Sequence, residues 1–514
     1  MARRRRECWD RPRRRRSRRC EGRRARDGAS RSVLAPHRAR QLSLVLQCIR
    51  LPSCPAPRSR VTSAEPDQKP RDIVYYALAA LVGFIGGGVG AGFHRATVKA
   101  GEWPLLLREH FQGPELYAAL SVGAALMVAL AVFLVRRFAP EAAGSGVQEI
   151  EGALEGLREV RWKRVLPVKF VGGVLALGSG LVAGREGPTI HMGASIAKAI
   201  SDAAGLSTRD SRGLLAAGAA AGLAAAFNAP LAAILFVIEE TRRQFPYGLR
   251  TYSAVIICSA ASAIVAQVIG GTEPDMQMDV AAVPLHFLPA FIGLGGVLGV
   301  VGIAFNAALV FSLDAARGLA LKVSPYVLPV VVGAAVGPLL VLRPEATFGG
   351  EMLAVSLPGM GLPALTLAGI VLIRFAMTMA SYSTGIPGGI FAPILALATA
   401  VGVLFATLLG SLFSLPPQML AACGIAAMGG LFSATVRAPL VGMVLVAELT
   451  GAYDLLLPTI LTCVTANLVA EGLGGKPIYE VLLDRTLRLA GMPRPPEPEQ
   501  DVIGGWDERE RRPQ

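Results

Sequence analysis

Long apolar runs separated by short polar breaks cover the chain from about residue 72 to residue 475. Most reach or exceed the roughly 18 residues that a helix needs to cross about 30 Å of hydrocarbon. Glycine and proline interrupt nearly all of them, which is typical of close-packed or broken membrane helices. The alternation of polar and apolar residues expected of a β-barrel is missing. The pattern therefore predicts an all-α polytopic membrane protein. Representative runs are residues 73–92, 116–135, 214–238, 283–311, 362–380 and 393–413.

The two halves of this apolar region resemble each other. An Ala-Pro-Leu sequence leads from Pro230 to Glu239 in nine residues, and a second leads from Pro439 to Glu448 in nine. Glycine-rich sequences and Gly/Pro-rich turns upstream also match in the same order, at offsets of 201 to 209 residues. We therefore predict a first membrane repeat at 71–270 and a second at 284–480. The comparison does not distinguish parallel from inverted repeats.

Repeats with interrupted helices at matching places are typical of transporters whose binding site lies at the repeat interface. A helix that begins inside the membrane presents backbone N–H groups without intrahelical partners, together with the positive end of its dipole. Facing helix starts can therefore bind an anion without a cationic side chain.

The composition of the chain agrees with a lipid environment, and the position of its charges bears on possible partners. Of the residues, 53% are hydrophobic and 17% are charged, which is too apolar for a soluble globular protein. A net charge of +14 is typical of nucleic-acid-binding proteins, but here the positive charge lies at one end of the chain. Residues 1–60 carry twenty Arg and four acidic residues. The remainder of the chain is therefore slightly acidic, and we expect no nucleic-acid partner.

The two ends of the chain are expected to lie outside the membrane region. Residues 1–70 are interpreted as a disordered Arg-rich extension or as a start codon assigned too far upstream, and both interpretations stay open. Residues 481–514 are predicted to be a short polar C-terminal tail. The cysteines beyond residue 60 are scattered singly, which indicates neither a disulfide framework nor a metal site.

Three Gly-rich interruptions carry the candidate chemistry: Gly-Ser-Gly at 144–146, Gly-Arg-Glu-Gly-Pro at 184–188, and Gly-Ile-Pro-Gly-Gly-Ile-Phe-Ala-Pro at 385–393. Gly-Ser-Gly alone is a weak signal, since helix caps often have this composition. Glu186 is a stronger one, because an ionisable residue at membrane depth costs several kcal/mol unless it has a partner or a function. A salt bridge to Arg185 is the structural alternative, although adjacent residues on a helix point apart.

These motifs, in this order, together with Lys-Pro-Ile-Tyr at 476–479, resemble the CLC chloride channels and transporters over residues 72–480. The resemblance implies two inverted-topology repeats, chloride and protons as substrates, and a homodimer with one pathway in each subunit. It also implies a multi-pass protein of the cell membrane, with no cofactor, no metal and no enzymatic activity. The short C-terminal remainder is not expected to hold a nucleotide-binding regulatory (CBS) pair.

The resemblance also assigns roles to individual residues. Glu186 corresponds to the gating glutamate, which competes with chloride, and Glu240 to the internal proton-transfer residue, whereas Glu239 is expected to be structural. The implied chloride ligands are Ser145, the N–H groups of Ile390 and Phe391, and the Tyr479 hydroxyl. The supporting motif residues are Gly144, Gly146, Gly184, Arg185, Gly187, Pro188, Gly388, Gly389 and Pro393.

Basic residues give the expected orientation. Arg242, Arg243 and Arg250 follow Glu240, and further arginines lie at 136–137 before Ser145 and at 485 and 488 after Tyr479. Because cytoplasmic loops are enriched in Lys and Arg, this end of the molecule is expected to be cytoplasmic.

The first motif departs from the family pattern. Gln148 stands where the family usually has a proline, and the loss of that rigid helix start leaves the geometry around Ser145 less defined. A serine at 145 is similar to chloride-selective rather than nitrate-selective members. Fluoride-selective members differ at both the Gly-Ser-Gly motif and Glu240.

Two other functions compete with chloride/proton exchange as interpretations of the sequence. An intramembrane hydrolase would need a serine with a base, such as Ser145 or Ser179 with His94 or His191, but no nucleophile motif surrounds either serine. His191 is expected to be a packed or surface residue. A passive chloride channel on the same scaffold is the serious alternative, and the acid at 240 favours the exchanger.

Overall fold

The structure is a computed structural model and describes residues 68–241 and 248–492. The Arg-rich extension up to residue 67, the arginines at 242–243 and the segment from 493 onward lie outside the described residues. Within the described residues the secondary structure is helical, apart from one isolated backbone bridge. Eight helices there are long and apolar enough to cross a membrane. The predicted all-α polytopic fold is confirmed.

Within the described residues, nine α-helices precede the segment 271–284 and nine follow it. The first nine are α1 (Gln68–Ala100), α2 (Trp103–His110), α3 (Gly113–Phe138), α4 (Val147–Glu155), α5 (Trp162–Gly178), α6 (Glu186–Ala203), α7 (Thr208–Phe227), α8 (Pro230–Glu240) and α9 (Leu249–Gly270). The second nine are α10 (Leu288–Lys322), α11 (Val327–Leu342), α12 (Glu351–Ser356), α13 (Ala364–Ser383), α14 (Phe391–Gly410), α15 (Met419–Val436), α16 (Pro439–Thr450), α17 (Leu456–Gly472) and α18 (Ile478–Leu489). The last helix continues past the boundary predicted at residue 480.

The matching helices α8 and α16 run antiparallel. Glu239, near the end of α8, accepts hydrogen bonds from the N–H groups of Leu440 and Val441 at the start of α16, at 3.3 and 2.8 Å. Glu448, near the end of α16, accepts from Leu231 and Ala232 at the start of α8, at 3.1 and 2.6 Å. Because equivalent helices of the two repeats point in opposite directions, the repeats have inverted topology.

These two helices are also too short to cross a bilayer. They have 11 and 12 residues, and at about 1.5 Å per residue each spans roughly half of the hydrocarbon thickness. Their N-termini therefore need partners inside the protein, which the two glutamates provide.

The central helices are buried, whereas the peripheral ones keep an apolar face on the outside. In an apolar stretch of 18 residues, 89% of the residues are buried in α15, compared with 33% in α3. Glycines allow the central helices to approach closely: a Cβ at Gly193 of α6 would lie 3.0 Å from the backbone nitrogen of Gly222 in α7. Small residues at helix contacts are the usual means of packing in lipid.

Ion pairs define two faces of the molecule. Arg250, near the start of α9, pairs at 2.9 Å with both Asp72 and Asp210, which lie near the starts of α1 and α7. These helix starts share a face, which we call the inner face. The 22-residue α9 crosses to the opposite side, so residues 271–284 lie at what we call the outer face. Asp275 in that segment pairs with Arg185, which places the start of α6 towards the outer face.

Candidate functional site

The Gly-Ser-Gly motif forms a tight loop before α4. Gly144 and Gly146 have φ angles of +64° and +91°, a left-handed region that glycine adopts without strain. The fully buried Lys169 of α5 donates hydrogen bonds to the carbonyls of Ala142 and Gly144, at 3.0 and 2.7 Å. The Ser145 hydroxyl is buried and has no hydrogen-bond partner among the described residues. The loop is therefore fixed by its backbone and leaves the hydroxyl available.

The start of α6 packs directly on this loop. A Cβ at Gly187 would lie 2.8 Å from the Cα of Ser145, closer than real side chains approach. The N–H of Gly144 donates to Ile386 at 2.8 Å, and that of Gly388 donates to Gly144 at 3.2 Å. All three interrupted motifs therefore meet, although they are far apart in the chain.

A symmetric backbone pair joins the two repeats at their helix breaks. Gly184 and Gly389 exchange N–H to carbonyl hydrogen bonds of 2.8 and 2.7 Å. Each glycine lies two residues before its helix, α6 or α14. Pro188 and Pro393 occupy the third position of these helices, where the missing N–H has no intrahelical partner to lose. The two helix starts therefore lie side by side.

Glu186 is fully buried between these helix starts. Its Oε2 accepts a hydrogen bond of 3.4 Å from the N–H of Ala392, the second residue of α14, and its Oε1 has no partner within the described chain. The first N–H groups of a helix lack intrahelical acceptors and carry the positive end of its dipole. The carboxylate therefore occupies an anion position at the start of α14.

Arg185 points away from its neighbour. Its guanidinium hydrogen-bonds to the carbonyl of Ala226 at 3.1 Å, to His94 and to Asp275. No ion pair joins Arg185 to Glu186 in the described part of the chain. The structural alternative, a salt bridge between Glu186 and Arg185, is therefore not found among the described residues.

Ile390 and Phe391 form the start of α14, and both are buried. The Phe391 ring packs against those of Phe227, Phe236 and Phe432, with centroids 5.9, 5.6 and 4.7 Å apart. This aromatic cluster holds the helix start in place.

Tyr479 lies at the start of α18 and is fully buried. Its hydroxyl is next to Ser145 and Tyr382, and Glu240 lies within electrostatic range. The Tyr382 hydroxyl in turn accepts from the Ser145 N–H at 3.4 Å. Glu240 is half-buried at the inner end of α8. Ser145 therefore lies between the start of α6, which carries Glu186, and the Tyr479 hydroxyl, which is within electrostatic range of Glu240.

Sequence reasoning missed Lys169 and Tyr382. Lys169 had a usable signal, because it is an ionisable residue inside an apolar helix. Tyr382 had none, since a tyrosine near the end of an apolar helix is common at membrane interfaces. His191 is packed in the interior, where a Cβ on Gly146 would lie 2.3 Å from Nδ1 of its ring.

Inverted repeats, interrupted helices and N-termini that meet in the interior are the architecture of a membrane transport protein. Comparison with known sequences gives the family. Residues 127–471 match the sequence model of the family described as "Voltage gated chloride channel". The chain belongs to this family, the CLC channels and transporters.

Similar proteins match this chain over most of their own length. The "H(+)/Cl(-) exchange transporter ClcA" of Vibrio cholerae serotype O1 is 44% identical over 437 residues, which cover 82% of this chain and 91% of the relative. The protein of the same description in Salmonella schwarzengrund is 42% identical over 434 residues, which cover 82% of this chain and 90% of the relative.

Solved structures agree. A "slow cyanobacterial Cl-/H+ antiporter" superposes with a TM-score of 0.76 at 38% identity, covering 83% of this chain and 99% of that one. A "eukaryotic CLC transporter" has a TM-score of 0.69 at 23% identity, covering 80% and 74% of the two chains. This second likeness concerns the fold alone.

Proposed function

We propose that this protein exchanges chloride for protons across a cell membrane as a multi-pass secondary transporter. The observation that carries the proposal is the position of Glu186, a buried carboxylate bound at the start of α14 by the N–H of Ala392. The relatives named as exchange transporters support the same reaction.

The exchange follows from competition for one position. A carboxylate and chloride are both anions, and both bind to the N–H groups of a helix start. When Glu186 is ionised, it holds that position and excludes chloride. When it is protonated, its attraction to the N–H groups falls, chloride enters and the side chain moves away. Proton binding and chloride binding are thereby linked.

The inner part of the anion route is assigned to the two unpartnered hydroxyls. Ser145 and Tyr479 each present an O–H donor in the interior, and neither has a hydrogen-bond partner elsewhere in the described residues. With the N–H groups of Ile390 and Phe391, they replace part of the hydration shell of the ion. Glu240 supplies the proton on the inner side, because it is the acid near Tyr479 that also reaches the inner surface.

The test is proton movement driven by a chloride gradient in reconstituted vesicles. We expect the purified protein to drive protons uphill, and Glu186→Gln to keep chloride flux while abolishing proton movement, since the amide cannot carry a proton. A wild-type protein that moves chloride without any uphill proton flux would instead be a passive channel.

The assembly and location are proposed with the function. We infer a homodimer with one pathway in each subunit, placed in the cytoplasmic membrane with the inner face towards the cytoplasm. The ion pairs of Arg250 at the inner face agree with the enrichment of basic residues there.

A further inference from the structure

An exchanger of this kind needs a proton route between Glu186 and the outer face, and the inference below rests on the proposed exchange. Glu186 has no exposed surface, so a proton from the outer solution must first reach a group that water can contact. The chain offers such a group in α12, which sequence analysis did not identify.

A cavity of about 640 Å³ opens at the outer side of the site. The cavity is lined by Asp275 of the outer segment and by Glu351 at the start of α12. Arg185 and Ala183, which lie close to Glu186 in the chain, also line it. Its other walls come from the end of α1, from α2 and from the loop before α12. The cavity therefore connects the outer face with the residues beside Glu186.

Glu351 lies at the part of this cavity that is next to Glu186, the proposed gating glutamate. It is half-buried, and its carboxylate folds back over its own loop, since a Cβ at Gly349 would lie 2.8 Å from Oε2. The carboxylate is within electrostatic range of Glu186 and of Arg185. It is likewise within electrostatic range of His94 and Arg374. The Glu351 carboxylate thus belongs to a residue that lines the cavity, and it is within electrostatic range of the Glu186 carboxylate.

A buried arginine fixes this arrangement. Arg374 of α13 is fully buried and donates to the carbonyls of Thr347, Phe348 and Gly349, at 2.9, 3.2 and 2.5 Å. These bonds give three carbonyls of the loop a donor and use both terminal nitrogens of the guanidinium. Glu351 therefore stands on a rigid support rather than on a mobile loop, as a catalytic group requires.

We propose that Glu351 is the outer proton relay of the exchanger, passing protons between water in the outer cavity and the carboxylate of Glu186. A hydronium ion in the cavity gives one proton to Glu351 and becomes water. Glu351 then gives that proton to Glu186, directly or through one water molecule, and returns to its ionised form. The reverse sequence releases a proton to the outer side.

Charge favours the transfer. Two nearby carboxylates repel each other when both are ionised, so one proton shared between them is favoured over none. Arg185 hydrogen-bonds to Asp275 and His94 and is within electrostatic range of both glutamates, which keeps a cation close to the pair. The alternative role for Glu351 is that of a counter-charge for Arg185 and Arg374.

The experiment compares Glu351→Gln with wild type in vesicles, measuring chloride-driven proton flux. We expect proton flux to fall about tenfold or more, as for the loss of a proton-transfer group. Glu351→His, which can also carry a proton, should restore part of the flux. Glu102→Gln is the matched control, because Glu102 lines the same cavity but pairs with Lys99 at 2.6 Å, and its proton flux should equal that of wild type.

The same substitution in a Glu186→Ala background separates relay from counter-charge. Without the gate carboxylate no proton is passed on, so chloride flux should be the same with and without Glu351→Gln. Reduced chloride flux in the double variant would overturn the relay in favour of a counter-charge. Unchanged proton flux in Glu351→Gln, or a His variant no better than Gln, would also overturn it. These outcomes differ from a failure of the proposed exchange, in which wild type itself would move no protons uphill.

Discussion

Three buried polar side chains in the interior carry an atom without a hydrogen-bond partner. A buried hydroxyl or carboxylate oxygen without a partner costs about 1–3 kcal/mol, and Ser145, Glu186 and Tyr479 each carry such an atom within the described residues. We propose that the two hydroxyls at these helix starts bind the transported anion, whereas the Glu186 carboxylate competes with it. Sequence motifs identified all three, because glycine and proline mark helix breaks and an acid between glycines is unusual in lipid.

The two hydroxyls give a prediction for chloride affinity. Replacing Ser145 and Tyr479 together by alanine removes two O–H donors, and chloride binding measured by calorimetry should weaken about tenfold or more. The matched control is Ser179→Ala, because that hydroxyl donates to Ala176 of its own helix at 2.7 Å. An affinity equal to that of wild type in the double variant would show that the hydroxyls do not bind the ion.

A second prediction at this scale concerns backbone approach. Gly187→Ala places a methyl group 2.8 Å from the Cα of Ser145, so we expect a loss of about 1–3 kcal/mol in stability from overpacking, measured by thermal unfolding in detergent. Gly88→Ala is the control, since nothing lies within 4 Å of the added carbon. Equal melting temperatures for the two variants would contradict the close packing of α6 on the loop.

At the scale of elements, short helices need caps that long helices do not. The helices α8 and α16 are too short to cross the membrane, and each receives its N-terminal cap from a glutamate near the end of the other. The sequence repeat identified Glu239 and Glu448 as equivalent residues and expected Glu239 to be structural. Their reciprocal contact could not be predicted, because a repeat in sequence gives no relative direction.

The reciprocal caps predict matched effects. Glu239→Ala and Glu448→Ala should each lower the stability by about 1 kcal/mol, since each leaves two N–H groups without their acceptor. Thermal unfolding of both single variants and the double variant measures this, with Glu102→Ala as an exposed control. A loss in one variant only would contradict the symmetric arrangement.

At the scale of the whole molecule, the membrane region carries the transport machinery in residues 68–241 and 248–492, which contain every proposed site residue. The Arg-rich extension lies outside these residues, and its basicity sets the positive net charge of the chain.

The extension therefore gives a prediction. A protein lacking residues 2–60 should exchange chloride and protons at the wild-type rate per molecule, measured in the same vesicle assay. The full-length protein prepared in parallel is the control. A truncated protein that reaches the membrane but transports at a clearly lower rate would show that the extension takes part in function.

The sequence by itself determined the membrane class, the two repeats, the interrupted helices and the acid, Glu186, that lies between them. Hydrophobic length, glycine and proline are local properties, so they can be read without coordinates. The family resemblance already implied inverted repeats, but only the tertiary structure decided their reciprocal glutamate caps, the paired glycines Gly184 and Gly389, and the positions of Lys169 and Glu351. These depend on contacts between residues that are distant in the chain, and no local pattern records which distant backbone a buried side chain will meet.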